Sequence, residues 1–183
     1  ANPMQRIVAS PVVDGRRIYV PSRVRPLLAL EATADDGPPR RLWSMDKGPD
    51  VPTPALGDGR LYLVTDRGLA WALDTDSGEP VWGPERLGGG TYSASPLVAD
   101  GRIYATNEEG LTTVLAAADT FEVLARNPIG EYTLSSLAVA GGRILLRTAA
   151  HLYCIGTPPS ATASGSQPTS SPSAMTPPVS TSP

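Results

Sequence analysis

One ten-residue pattern, repeated four times, constrains this chain more than any other feature. Ser10-Pro11-Val12-Val13-Asp14-Gly15-Arg16-Arg17-Ile18-Tyr19 returns as Thr53-Pro54-Ala55-Leu56-Gly57-Asp58-Gly59-Arg60-Leu61-Tyr62. It returns again as Ser95-Pro96-Leu97-Val98-Ala99-Asp100-Gly101-Arg102-Ile103-Tyr104, and more loosely as Ser136-Leu137-Ala138-Val139-Ala140-Gly141-Gly142-Arg143-Ile144-Leu145. The starts are 43, 42 and 41 residues apart. Self-similarity at such a period means one structural unit stacked on copies of itself.

Each unit has the grammar of a hairpin. A short apolar run meets Asp-Gly or Gly-Gly, and a second apolar run follows; glycine supplies the positive φ of a tight turn. The turn glycines are Gly15, Gly59, Gly101 and Gly142. The second unit is the fullest, with strands expected at Pro54–Leu56, Arg60–Thr65, Leu69–Asp74 and from Pro80 to Trp82. Leu111 to Ala118 has an apolar run long enough for a short helix, but it aligns with Leu69–Leu73 and reads as a strand. Four short strands per unit of about 42 residues is the pattern of a β-propeller blade.

The stretch Ala72-Leu73-Asp74-Thr75-Asp76-Ser77-Gly78-Glu79-Pro80-Val81-Trp82 resembles the Ala-x-Asp-x-x-x-Gly-x-x-x-Trp signature of pyrroloquinoline-quinone-type (PQQ-like) repeats. The resemblance covers about residues 7–156. It implies an all-β fold, a partial propeller of about three and a half four-stranded blades, within 1–156. It also implies structural roles: Asp74 caps a turn, Gly78 takes a left-handed place, and Trp82 docks between neighbouring blades. In the first unit Trp43 holds the docking place. In the third, no turn glycine follows Asp119, and Val123-Leu124 stands where the tryptophan is expected. The fourth stops at His151-Leu152-Tyr153-Cys154-Ile155-Gly156.

Three units and part of a fourth do not close a ring of four to eight blades. No charged-then-apolar leader follows Ala1, so either a leader is removed or Ala1 is a fragment boundary; the repeat count reads as the C-terminal part of a larger propeller, with further blades expected from a missing N-terminal part, and several chains sharing one ring is the alternative. Residues 157–183 are of another kind: 20 of the 27 are Pro, Ser or Thr and none is charged or aromatic. Such a segment cannot bury enough apolar surface to offset its ordering entropy, so a disordered tail, a spacer or a glycosylated stalk, is expected.

Composition removes several function classes. The net charge of -3 gives no basic excess for nucleic acid. No apolar run approaches the roughly 20 residues of a membrane-spanning helix. One histidine and one cysteine allow neither a multi-histidine metal centre nor an internal disulfide. His151 is expected in the core or at a blade interface, and Cys154 as a buried, inert thiol. No serine or cysteine nucleophile motif accompanies His151. Asp74-Thr75-Asp76-Ser77-Gly78 opens like a calcium loop and Glu85 stands at its twelfth place, but Pro80 and Pro84 interrupt it and a blade turn already explains Asp74 and Gly78. Asn107-Glu108-Glu109-Gly110 reads as a hairpin turn, and Gly88-Gly89-Gly90 has no lysine to make a phosphate loop. Arg16, Arg60, Arg102 and Arg143 are expected at one place per blade, beside the turns.

Two functions follow as expectations. The first is a non-enzymatic binding or scaffolding propeller, extracytoplasmic by family resemblance, that offers a face to a protein or small ligand. The second is a fragment of a PQQ-dependent alcohol dehydrogenase. The resemblance alone brings in its cofactors, PQQ and calcium, and the single Cys154 cannot supply the adjacent cysteine pair typical of those enzymes.

Overall fold

The computed structural model describes residues 8–22, 26–34, 37–46 and 48–157. Apart from Thr157, the expected tail lies outside the described residues. Those residues form four antiparallel sheets and no helix. The first sheet is β1 (Val12–Asp14), β2 (Arg17–Val20), β3 (Leu27–Glu31) and β4 (Arg40–Met45). The second is β5 (Ala55–Gly57), β6 (Arg60–Val64), β7 (Leu69–Asp74) and β8 (Pro80–Arg86). The third is β9 (Leu97–Ala99), β10 (Arg102–Thr106), β11 (Leu111–Ala116) and β12 (Val123–Pro128). The fourth has three strands: β13 (Ala138–Ala140), β14 (Arg143–Arg147) and β15 (Leu152–Ile155).

Strands pair in chain order within each sheet. The first strand of each sheet lies beside that of the next, β1 against β5 and β5 against β9, and these mark the inner side of a propeller arc. Two-residue turns join the first two strands. Asp58-Gly59 and Asp100-Gly101 hold positive φ at both positions, 48° and 71° in the former, which is the mirror-type turn a right-twisted hairpin prefers. Tyr62 to Val64 and Ala70 to Leu73 are buried in sequence, because each middle strand is covered on both faces by neighbouring sheets.

The core lies in the seams between sheets. Tyr19 and Ala29 of the first sheet pack with Leu61, Leu63 and Leu73 of the second. Tyr62, Ala72 and Trp82 of the second pack with Ile103, Ala105 and Leu115 of the third. Trp43 Nε1 donates to the Thr75 carbonyl (3.1 Å) and Trp82 Nε1 to the Ala118 carbonyl (3.0 Å), so each indole bridges to the turn of the following sheet. Arg17 reaches Asp76 and Arg60 reaches Asp119 (2.8 Å) across the same two seams.

Four expectations change here. Arg17 rather than Arg16 is the counterpart of Arg60: it pairs with Asp14 as Arg60 pairs with Gly57, while Arg16 sits in the turn and bonds the Ala32 carbonyl. The docking place of the third sheet belongs to Ala125, not to Val123-Leu124. Ala125 pairs with Val114 as Trp82 pairs with Ala72 and Trp43 with Ala29, each beside a register shift. Cys154 is exposed because β15 is the outermost strand of its sheet. His151 is also exposed, in the turn before β15 rather than in the core.

Candidate functional site

At the entrance to the inner strands, a hydrogen-bond ladder ties the sheets together. The Ser10 amide donates to Thr53 Oγ1 (3.0 Å), the Thr53 amide to Ser95 Oγ (3.0 Å), and the Ser95 amide to Ser136 Oγ (2.9 Å). These are the opening residues of the four repeats. The hydroxyl satisfies a neighbour's backbone donor where the following proline of the first three units, Pro11, Pro54 or Pro96, has none to give. The recurrence was visible in the sequence; its purpose was not, because the partner is a repeat away.

The ladder borders a shallow mouth of about 440 Å³ lined by Val8, Val51, Thr53, Ser93, Ser95 and Leu134. Val8, Val51, Ser93 and Leu134 each lie two residues before a ladder residue, so all four sheets contribute the same position. Val8 is 41% exposed and Leu134 54%, and Tyr132 beside it is 54% exposed. The convergence of exposed Val8 and Leu134 with Val51 on one mouth is the kind of surface that partners cover.

A second cluster sits on the same loop side, in the last sheet. Glu131 accepts from Thr148 Oγ1 (2.6 Å) and Tyr153 OH (2.7 Å), and lies 2.8 Å from His151 Nδ1. Donation from Thr148, then Tyr153 and His151, holds its carboxyl down at about 2. The same bond pushes the Tyr153 phenol up. Thr148 also receives the His151 amide, which closes the turn that Asn107 closes in the third sheet. The cluster is a brace between a connecting loop and an edge strand. It brings together His151 and Tyr153, but no nucleophile.

The remaining predicted residues take structural places. Asp74 Oδ1 receives the amides of Asp76 and Ser77 and the Ser77 hydroxyl, which keep its carboxyl below the usual range. Gly78 has φ +75° and lies under Trp43, where a Cβ would stand 2.7 Å from Cε3. Glu85 lies on β8 opposite Ala70, at the far end of β7 from Asp74, so the two do not form one loop. Gly90 is packed against Glu109 and Asn107. Asn107 Oδ1 accepts the Leu111 amide, and Gly110, at φ +78°, closes that turn. Among the described residues no group of His, Cys, Asp and Glu is placed to hold a metal ion.

Pyrroloquinoline quinone is a planar polycarboxylate, and a site for it needs cations and a flat aromatic platform. No charged or aromatic side chain lines the mouth. Trp43 and Trp82 are committed to the seams and Trp71 is buried in the core. The described residues at this mouth therefore do not supply such a site.

The profile of a family described as outer membrane protein assembly factor BamB matches residues 2–87 and 33–121, together about two thirds of the chain. No curated protein matches. Among solved structures, BamB from Moraxella catarrhalis is similar with a TM-score of 0.61 at 18% identity, over 81% of this chain and 44% of that one. The quinohemoprotein alcohol dehydrogenase from Comamonas testosteroni has a TM-score of 0.55 at 24% identity, over 68% and 21%. The computationally designed Ika4 protein has a TM-score of 0.62 at 10% identity, over 85% and 95%. These likenesses establish the fold. The chain spans less than half the length of the Moraxella BamB and about a fifth of the dehydrogenase. No helix among the described residues is long and apolar enough to cross a membrane.

Proposed function

From the premise that the chain belongs to the PQQ-like propeller family of the outer membrane protein assembly factor BamB, we propose that it is a binding module, extracytoplasmic as its family suggests. It holds an apolar segment of a protein partner at the mouth of the arc. One observation carries the reading: the equivalent position of each sheet, Val8, Val51, Ser93 and Leu134, converges on one mouth, where the apolar Val8 and Leu134 are exposed and Val51 is half-buried, while Ser93 donates to Glu108. The ladder hydroxyls of Thr53 and Ser95 frame that surface and are already bonded to backbone amides. The apolar positions therefore supply affinity, and the polar frame sets where the segment lies.

The test is fluorescence anisotropy with labelled extended peptides, an apolar series and an acidic series, against the protein and its Leu134→Asp and Val8→Asp variants. Binding of the apolar series that falls at least tenfold in both variants supports the reading. Equal affinity of the variants, or binding of the acidic series alone, overturns it. Arg102→Asp, on the turn side, is the control expected to bind normally.

A further inference from the structure

The seams of the arc are not equally filled. In the seam between the second and third sheets, Tyr62, Ala70, Leu87, Ile103, Ala105 and Leu115 form one buried cluster, completed by the rings of Trp82 and Tyr92. The pairing registers, with the matching amide bonds of Leu87 to Gly68 and Ile129 to Gly110, carry this set, one for one, onto the next seam as Tyr104, Thr112, Ile129, Ile144, Leu146 and Ile155. The two rings have no counterpart there. Ala125 stands in the place of Trp82, and Thr133, whose amide bonds Glu108 as that of Tyr92 bonds Asp66, stands in the place of Tyr92. In this seam lies a pocket of about 120 Å³ lined by those six residues together with Asn127 and Leu137, with Thr112, Asn127 and the Tyr104 phenol at its polar margin.

Among the described residues, no ion pair closes the same seam at the turn side. Arg17 and Arg60 close the first two seams by reaching Asp76 and Asp119, but Arg102 bonds Asp100 of its own sheet. A groove of about 390 Å³ adjoins the cavity and shares Tyr104, Ile144 and Ile155 with it.

We propose that this third seam is a binding site for a small neutral aromatic molecule of one or two fused rings. The chemistry is set by what fills the equivalent space elsewhere in the same chain: an indole packed on a tyrosine, Trp43 with Tyr19 (5.8 Å) and Trp82 with Tyr62 (6.3 Å). Tyr104 offers that surface without its partner ring. Mostly apolar pockets of this size take up single aromatic rings, and the groove gives an entry path. The site is separate from the axial mouth.

The probe is free indole, added to the full chain and followed by thermal unfolding. At about five times its dissociation constant, indole raises the melting temperature by about 2–4 °C, saturably. Ala125→Trp supplies the ring covalently: it raises the melting temperature without ligand and removes the indole response. Ile144→Phe, a second filling variant from the facing sheet, weakens the response at least tenfold. Leu134→Asp, at the mouth, retains it. The proposal is overturned if indole gives no saturable shift, or if Ala125→Trp folds and responds to indole as the parent does. Should that variant fail to fold, an unchanged response in Ile144→Phe overturns it equally.

Discussion

Replacing Trp82 by alanine tests the principle by which the sheets adhere. The indole is 8% exposed, stacks between Tyr62 and the edge of Phe121 (5.4 Å), and donates to the Ala118 carbonyl across the seam. A buried tryptophan removes about 150–250 Å² from water, roughly 4–6 kcal/mol at about 25 cal/mol per Å², which is an upper bound because unfolded chains are partly compact. Large-to-small replacement of a buried tryptophan costs about 3–5 kcal/mol, which is the loss expected for Trp82→Ala. Urea unfolding followed by far-UV circular dichroism measures it, with Trp82→Phe expected to lose only about 1–2 kcal/mol because a ring still fills the seam. A loss below about 1 kcal/mol for the alanine variant would show that the indole does not join the sheets.

Other outcomes follow from the same geometry. Gly78→Ala forces a Cβ into the Trp43 ring at a positive φ, so it should destabilise by about 1–3 kcal/mol or more, read in the same urea series. Ser95→Ala strands the Thr53 amide and should cost about 0.5–1.5 kcal/mol, with Ser95→Thr restoring it. For Glu131 the folded carboxyl sits at about 2 against an ordinary 4.5. Its stabilisation is present in full above about pH 4.5 and is lost as pH falls toward 2. Melting temperature measured between pH 5 and 2 should therefore fall less steeply in Glu131→Gln than in the parent, and parallel slopes would remove the brace from the account.

The repeat made the architecture readable because every unit repeats the same two-residue turn between short apolar runs. Leu69–Asp74 and Pro80 onward were located from residue types alone, and the three-stranded ending appeared as the stop after Ile155. What escaped was register. Trp82 lies ten residues after its partner Ala72, but Ala125 lies eleven after Val114, because the turn of the third sheet is one residue longer. Counting by repeat length therefore lands on Leu124. Arg16 was mistaken for Arg17 for a related reason: Asp-Gly-Arg catches the eye, while pairing obeys the turn. The Glu131 brace could not be read at all. Glu131 and His151 are 20 residues apart and occupy places where the other units have Gly90 and Leu111, so the repeat gave no warning of a charge there.

The hydroxyl ladder has a direction. Every rung runs from the amide of one sheet to the side chain of the following one. Losing the last sheet would strip the Ser95 amide of its acceptor, whereas losing the first would orphan a hydroxyl that water can serve. That asymmetry falls at the end where the seam is also least filled. Within the described arc this grades the sheets like a zipper with its slider at the fourth sheet, so opening is expected to start at that seam, and amide exchange at Ser95, Thr53 and Ser10 would record the order in which the sheets let go.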